Sequence, residues 1–311
     1  MGKVLVIAGP TASGKTALGI ALARHFGGEI VSADSMQIYR EMDVGTAKAT
    51  PSERAAAVHH MIDVVSPSES YSVAAYVDAA SACCDEILSR GLVPIIVGGT
   101  GLYIDSLLSG RSFGAAQEDD SLRRSLGLEY DELGGEAMLA RLASVDPERA
   151  ALLHPADRKR IIRALEVYYL TGETITAHDA RTQALPLRYD SAFIIPGYRD
   201  RSLLYARIDA RVDEMVAHGL FEEVSSLLSS GLSPECTAMQ AIGYKEAALA
   251  LRGEISRDEA VESIKLSSRR YAKRQLTWFN RRADALRLYR DELSDSEFLL
   301  SAISYAEGFL K

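Results

Sequence analysis

The sequence predicts an α/β fold in which a parallel sheet, flanked by helices, is interrupted by a helical insertion. Three observations carry this. Residues 4–8 are a short apolar run that ends at Gly9 and opens into a glycine-punctuated loop. Apolar runs of similar length return at residues 29–33 and 92–97, spaced by helical stretches, which is the rhythm of a parallel sheet. Between about residue 110 and residue 187 the strand-like runs vanish and the chain turns polar and helical.

Each element has its own warrant. The run Ala17-Leu18-Gly19-Ile20-Ala21-Leu22-Ala23-Arg24 has helical character, and Gly27-Gly28 gives it a C-terminal stop. Residues 29–33 form the second strand and end at Asp34. Residues 72–90 read as a helix closed by Gly91, and residues 92–97 as a strand that runs into Gly98-Gly99-Thr100-Gly101. Ligands of open parallel sheets sit at the carboxyl ends of the strands, so Asp34 and Thr100 are expected on one rim with Gly9. Residues 113–187 are expected to form the helical insertion domain. Residues 1–112 and 188–311 then make up the core, with residues 192–195 as a returning strand. Helices follow at 201–219, 220–229 and 257 to about 282.

The bulk properties set limits. The chain has 311 residues, 47% of them apolar and 25% charged, enough to bury a sizeable core. No run approaches the roughly 18 apolar residues of a membrane helix. The apolar start leads straight into the loop at Gly9 and is too short for a secretory signal. Cys83, Cys84 and Cys236 have neither a disulfide framework nor a zinc spacing. A cytoplasmic monomer with no membrane partner is the expectation. The net charge of −8 argues against a nucleic-acid partner, but its distribution argues the other way. Arg269, Arg270, Lys273, Arg274, Arg281, Arg282, Arg287 and Arg290 fall in one stretch opposed only by Asp284, and Arg158-Lys159-Arg160 with Arg163 forms a second knot. Such clusters are either cationic faces or ordinary solvated helix faces.

The strongest motif is Gly9-Pro10-Thr11-Ala12-Ser13-Gly14-Lys15-Thr16. Between a strand and a helix, this glycine spacing lets successive backbone N–H groups point at phosphate oxygens at the positive end of the helix. Lys15 adds a point charge, and the Thr16 hydroxyl is the usual Mg²⁺ ligand of a P-loop. The core is therefore P-loop NTPase-like. A hydrolase of that class would normally carry an apolar strand ending in Asp to complete its metal site. Here that strand ends in Gly98-Gly99-Thr100-Gly101, and the remaining acid on the rim is Asp34, which can bind metal or act as a general base.

Further motifs resemble the bacterial tRNA dimethylallyltransferases. They are Ser32-Ala33-Asp34-Ser35-Met36-Gln37-Ile38-Tyr39, Asp43-Val44-Gly45-Thr46-Ala47-Lys48, His60-Met61-Ile62-Asp63 and Val97-Gly98-Gly99-Thr100-Gly101-Leu102-Tyr103. His154-Pro155, Arg160-Ile161-Ile162-Arg163-Ala164-Leu165-Glu166-Val167, Gln240-Ala241-Ile242-Gly243-Tyr244-Lys245 and Arg274-Gln275-Leu276-Thr277-Trp278-Phe279 continue the series to about residue 285. Ala156 departs from the family, which usually has Asn after His-Pro.

The resemblance implies transfer of a dimethylallyl group from dimethylallyl diphosphate to N6 of the adenosine 3′ of the anticodon. It implies Asp34 as general base, Thr100 as donor to the bridging oxygen and Arg211 as the pyrophosphate contact, with Arg207 left open as the alternative. Mg²⁺ at Thr16 and the phosphate loop would hold the leaving group. Contacts with the tRNA anticodon stem-loop would come from Asp34, Ser35, Met36, Gln37, Arg123, Lys159, Arg160, Ile161, Ile162, Arg163, Gln240, Ala241, Ile242, Gly243, Tyr244 and Lys245. The residues by themselves also admit a small-molecule P-loop kinase, an adenylate isopentenyltransferase or an RNA-binding module without catalysis.

Overall fold

The structure is a computed structural model and describes residues 1–110, 120–183 and 185–311. The expected boundary between residues 112 and 113 lies outside the described residues. The chain divides into two compact units, Met1–Leu108 with Arg188–Lys311, and Ser109–Leu187.

The first unit is built on a six-stranded sheet: β1 (Gly2–Ala8), β2 (Glu29–Ala33), β3 (His59–His60), β4 (Pro94–Gly98), β5 (Tyr189–Gly197) and β6 (Leu286–Tyr289). The spatial order is β3-β2-β4-β1-β5-β6 and every pair is parallel. Its helices are α1 (Lys15–Phe26), α2 (Pro51–Ala56), α3 (Val73–Ser89) and α4 (Gly101–Ser109), then, beyond the second unit, α9 (Arg201–Ala217), α10 (Leu220–Ser229), α11 (Tyr244–Leu251), α12 (Arg257–Phe279) and α13 (Asp295–Leu310). The second unit holds α5 (Asp120–Val145), α6 (Pro147–Ala151), α7 (Arg158–Thr171) and α8 (Ile175–Gln183).

Burial explains the composition of the strands. Leu5 and Ile7 of β1 pack with Leu18 and Leu22 of α1 and with Phe298 and Ala302 of α13, while the alternate residues Val4 and Val6 are equally buried. A strand covered on both faces reads as a continuous apolar run. A second core joins α9 to α12 with the segment after β2, through Ile38, Tyr39, Met42, Val212, Leu220 and Tyr244. The second unit has its own core, which includes Leu126, Met138, Leu142, Ile161, Ile162 and Leu165. Short β3 and β6 and the terminal helix α13 were not anticipated; two and four residues are too few to show a period.

Register sets the geometry of the rim. Gly98 pairs with Ala8 on one side and with Ala33 on the other, so β1, β4 and β2 end in one row. The loop after Ala8, Asp34 and the Gly99-Thr100 turn therefore leave the sheet side by side. A Cβ at Gly98 would stand 2.1 Å from the Ala33 carbonyl oxygen, a backbone atom that cannot yield. Gly98→Ala is expected to lower stability by about 1–3 kcal/mol through overpacking. The denaturant midpoint should fall at an unchanged slope, and an unmoved midpoint would contradict this reading of the rim.

Candidate active site

The loop between β1 and α1 is shaped by three residues with positive φ: Gly9 (151°), Ala12 (61°) and Gly14 (86°). The buried Ser13 hydroxyl donates to the Pro10 carbonyl (2.9 Å), and Lys15 Nζ donates to the same oxygen (2.6 Å). The loop is also held from outside. Thr11 N–H donates to Gln275 Oε1 of α12 (2.9 Å), and Gln275 Nε2 donates to the Gly99 carbonyl (3.0 Å). Arg290, just after β6, donates from Nε to the Ser13 carbonyl (3.2 Å).

A cavity of about 1000 Å³ opens above this loop. Thr11, Ala12, Gly14, Lys15 and Thr16 line it, with Asp34, Arg211 and Tyr271 across from them. Arg211 Nη1 donates to Thr11 Oγ1 (3.1 Å). Burial pushes the Lys15 ammonium down to about 7; the Arg211 charge adds to that fall and Asp34 opposes it. Burial likewise presses Arg211 below the usual guanidinium value, against the pull of Asp34. Beside the phosphate loop the cavity wall thus brings Lys15, Arg211 and Asp34 together, while Lys48 and Arg54 on the same wall are already paired with Asp43 and Asp63, so Lys15 and Arg211 are the cations a bound anion would meet.

A second cavity of about 310 Å³ shares Thr11, Asp34, Arg211 and Tyr271 with the first. Its other walls are largely apolar, with Met36, Ile208, Val212 and Ile264. Asp34 sits on the boundary. One of its oxygens, Oδ1, caps the turn by accepting from Met36 N–H (2.9 Å) and Gln37 N–H (3.4 Å).

Other expected residues fall in several places. Thr100 is not among the residues lining either cavity; its Oγ1 accepts from Ser35 N–H (3.1 Å), and it reaches the Tyr271 hydroxyl. Ser35, Met36, Gln240, Ala241 and Ile242 line the second cavity, and Gln37 the first. Arg211, not Arg207, faces the cavities; Arg207 lies by the ring of Tyr198. The Tyr244 side chain is buried, donating from its hydroxyl to Glu223 (2.5 Å), while Lys245 is exposed. In the second unit Lys159 and Arg160 are exposed, whereas the side chains of Ile161 and Ile162 are core. Arg123 and Arg163 both pair with Glu166, whose carboxylate is fully buried.

The basic stretch from residue 269 to residue 290 is not one cationic face. Arg269 pairs with Asp209, Arg282 with Asp105, and Arg287 donates to the carbonyls of Phe279 and Arg282. With Arg290 on the phosphate loop, half of that stretch holds the fold together. The acids that pair with Arg269 and Arg282 lie far away in sequence, whereas Arg290 also pairs with nearby Asp295.

Sequence reading missed several residues that build the site. Lys48 is buried and donates to Tyr39 O (2.8 Å), Asp43 (2.6 Å) and Asp63 (2.7 Å), fixing one wall of the larger cavity. The Glu223 carboxylate accepts from the N–H groups of Asp43, Val44 and Gly45. Tyr271 and Gln275 also went unassigned. The spacing Ser268, Tyr271, Gln275, Trp278 puts one side chain per turn on the same face of α12, and this was the available signal.

The chain is similar to known proteins over most of its length. The profile of the IPP transferase family matches residues 37–282, and that of the isopentenyl transferase family residues 2–63. The tRNA dimethylallyltransferase of Geobacillus thermodenitrificans is 51% identical over 277 residues, 89% of this chain and 87% of the relative. That of Pelotomaculum thermopropionicum is 46% identical over 308 residues, 99% of this chain and 97% of the relative. Among solved structures, a tRNA isopentenylpyrophosphate transferase from Bacillus halodurans superposes with a TM-score of 0.75 at 39% identity, covering 100% of this chain and 97% of that one. A eukaryotic dimethylallyltransferase acting on tRNA gives 0.85 at 30% identity, covering 100% of this chain and 80% of that one.

The position of Lys15 gives a pH test. Its ammonium is charged below about pH 7 and largely neutral above it while no anion is bound. An incoming diphosphate favours the charged form, so binding above that pH takes up a proton. Affinity for magnesium pyrophosphate is expected to fall by up to about tenfold per pH unit above the Lys15 value. Calorimetry on either side of that pH should show this extra dependence in the wild type and its loss in Lys15→Met. Equal pH profiles for the two proteins would reject it.

Proposed function

Because the chain belongs to the IPP transferase family, we propose that it is a tRNA dimethylallyltransferase, moving a dimethylallyl group from dimethylallyl diphosphate to N6 of adenosine 37, immediately 3′ of the anticodon, and releasing pyrophosphate. The observation that carries this reading is the shared wall. A phosphate loop lines one cavity, an apolar pocket opens beside it, and Asp34 faces both.

The chemistry has two demands. The exocyclic amine is a poor nucleophile because its lone pair is delocalised into the ring, so a carboxylate that takes its proton during attack is valuable. Asp34 is the carboxylate at that place. As the new N–C bond forms, the C–O bond breaks and its electron pair goes to the diphosphate. Donors aimed at that developing charge stabilise the transition state more than the ground state. The loop N–H groups, Lys15 and Arg211 supply them. Thr100 serves the bridging oxygen once it exchanges its contact with Ser35 for the substrate.

The larger cavity fits Mg²⁺ in a particular way. Among the described residues no group of three His, Cys, Asp or Glu side chains could hold a metal by itself. Mg²⁺ keeps several waters and takes much of its shell from substrate phosphates, so the Thr16 hydroxyl on the wall is a sufficient protein ligand. The ion would neutralise charge on the departing pyrophosphate.

The acceptor base must leave its stack to reach Asp34, as in other nucleobase-modifying enzymes. Ser35, Met36, Gln37 and residues 240–245 are assigned to the anticodon loop. Arg123, Lys159, Arg160 and Arg163 of the helical insertion are assigned to the phosphates of its stem. We read the protein as a cytoplasmic monomer; no helix among the described residues is long and apolar enough to cross a membrane. The relatives are named for dimethylallyl transfer and for tRNA, so neither a small-molecule kinase nor a free-adenylate acceptor is favoured.

Labelled dimethylallyl diphosphate with Mg²⁺ should label unmodified tRNA and leave AMP unlabelled. ATP turnover without label transfer would defeat the proposal. Asp34→Ala should lower turnover by about 10²–10⁴-fold and Thr100→Ala by about 10²–10³-fold, with tRNA affinity little changed in both. A loss mainly of affinity would overturn these roles. Lys159→Ala with Arg160→Ala should do the opposite, weakening binding and reducing its salt slope by about 2; an unchanged slope would remove them from the interface.

A further inference from the structure

Tyr271 occupies a position that the reaction as described leaves unused. It lines both cavities, and it is the only Phe, Trp or Tyr among the residues lining either one. Its surroundings are those of the reacting centre. Asp34 lines the same two cavities and its charge acts on the Tyr271 hydroxyl, with Thr100 and Gln275 nearby. Burial, with Asp34 adding to it, pushes the phenol up to about 12, so it stays neutral at working pH. The guanidinium of Arg274, a wall residue of the smaller cavity, lies 5.5 Å from the ring centre, which shows that a cation can occupy that side of the ring.

The position is fixed from two directions. Tyr271 lies on α12 one turn before Gln275, whose amide is tied to Thr11 N–H and Gly99 O. One turn further on, Trp278 donates from Nε1 to Asp105 (2.9 Å). The helix therefore cannot rotate without breaking its contacts with two strand-end loops. The ring is consequently held on the path between the phosphate side and the acceptor side.

Given the proposed transfer, that path is travelled by a carbon centre that becomes electron-poor. The C1–O bond of an allylic diphosphate breaks with its electron pair leaving on oxygen, and the positive charge left behind spreads over C1 and C3. The bond from N6 to C1 then forms, and the N6 proton goes to Asp34. The other residues that line both cavities are Thr11, Asp34, Thr46, Arg211 and Met215, none of them aromatic. We propose that Tyr271 is a catalytic residue whose aromatic face stabilises the positive charge on the allylic carbons in transit, with helix α12 holding the ring in place. A cation over an aromatic face gains energy from the ring quadrupole, and gains most where water is excluded.

This inference rests on the transferase reading, and the test separates the two. Label transfer from dimethylallyl diphosphate to tRNA by the wild type establishes the reading; its absence would overturn reading and inference together. Tyr271→Phe, which keeps the ring, should retain most of the turnover, whereas Tyr271→Leu should lower kcat by about 5- to 30-fold. Because the leucine variant alters shape, a second series keeps shape constant. Phenylalanines bearing one, two and three ring fluorines at position 271 withdraw electron density stepwise at nearly constant volume. The expected result is a stepwise fall in kcat along the series, with KM for tRNA unmoved. An active wild type with a flat fluorine series, or a leucine variant with wild-type kcat, would overturn the role of the ring and leave the transferase reading standing.

Discussion

One buried side-chain amide ties the phosphate loop to the neighbouring strand end. A phosphate loop works only if its backbone is held open with N–H groups facing inward, and this loop, with positive φ at Gly9, Ala12 and Gly14, is held from within by bonds of Ser13 and Lys15 to Pro10 O and from outside. Gln275 supplies the external brace, taking the Thr11 N–H with its oxygen and giving its NH₂ to the Gly99 carbonyl. Leaving two such buried backbone groups without partners would cost about 1–3 kcal/mol each. The brace also explains Gly99, where a Cβ would stand 2.1 Å from Gln275 Nε2. The distance between the β1 and β4 loops is thus set by a residue from the last long helix of the sheet unit. Tyr271 and Trp278 on the same face extend that control to Thr100, Gly101 and Asp105.

Electrostatics follow from that frame. With the loop braced, Lys15 and Arg211 are brought into one cavity although their charges repel, and burial works against both. Asp34 opposes the repulsion without cancelling it. The phosphate-loop side of the cavity therefore presents Lys15 and Arg211 to an incoming anion, and donors held by the brace need little rearrangement when one arrives. Lys48 shows the contrasting case. It is equally enclosed but saturated by a carbonyl and two carboxylates, so its charge is spent on the cavity wall.

What the sequence revealed is what local spacing encodes. The loop at residues 9–16 was legible because its glycines, lysine and threonine are contiguous and lie between a strand and a helix. Asp34 and Thr100 were placed on the same rim because parallel strands that begin in register end together, as Ala8, Gly98 and Ala33 do. Gln275 and Tyr271 were not assignable, since their partners lie up to 264 positions away. The basic stretch near the C-terminus misled for the same reason: Asp105 and Asp209 are remote in sequence and adjacent in space. Tyr244, in a motif tied to RNA by resemblance, has a side chain that closes a core over Gly45 instead.

The same logic bears on why a phosphate loop can serve alkyl transfer. When a phosphoryl group moves, the nucleophile approaches phosphorus, so the base or water-positioning residue stands over the terminal phosphate. When the carbon group moves, the nucleophile approaches from the side of the carbon, and the phosphates remain where they are held. The enzyme then needs no acid at the end of β4, where Gly98 leaves no space for a side chain. It needs a base beyond the phosphates and an opening through which the acceptor can reach it. Under the proposed reading the shared wall of the two cavities would supply both, because Asp34 enters from β2 on the far side of β4 from the loop. In the order β2-β4-β1 one strand stands between the strand that carries Asp34 and the strand that leads into the phosphate loop, so the two are two inter-strand spacings of ~5 Å each apart. That is room for a five-carbon group between them.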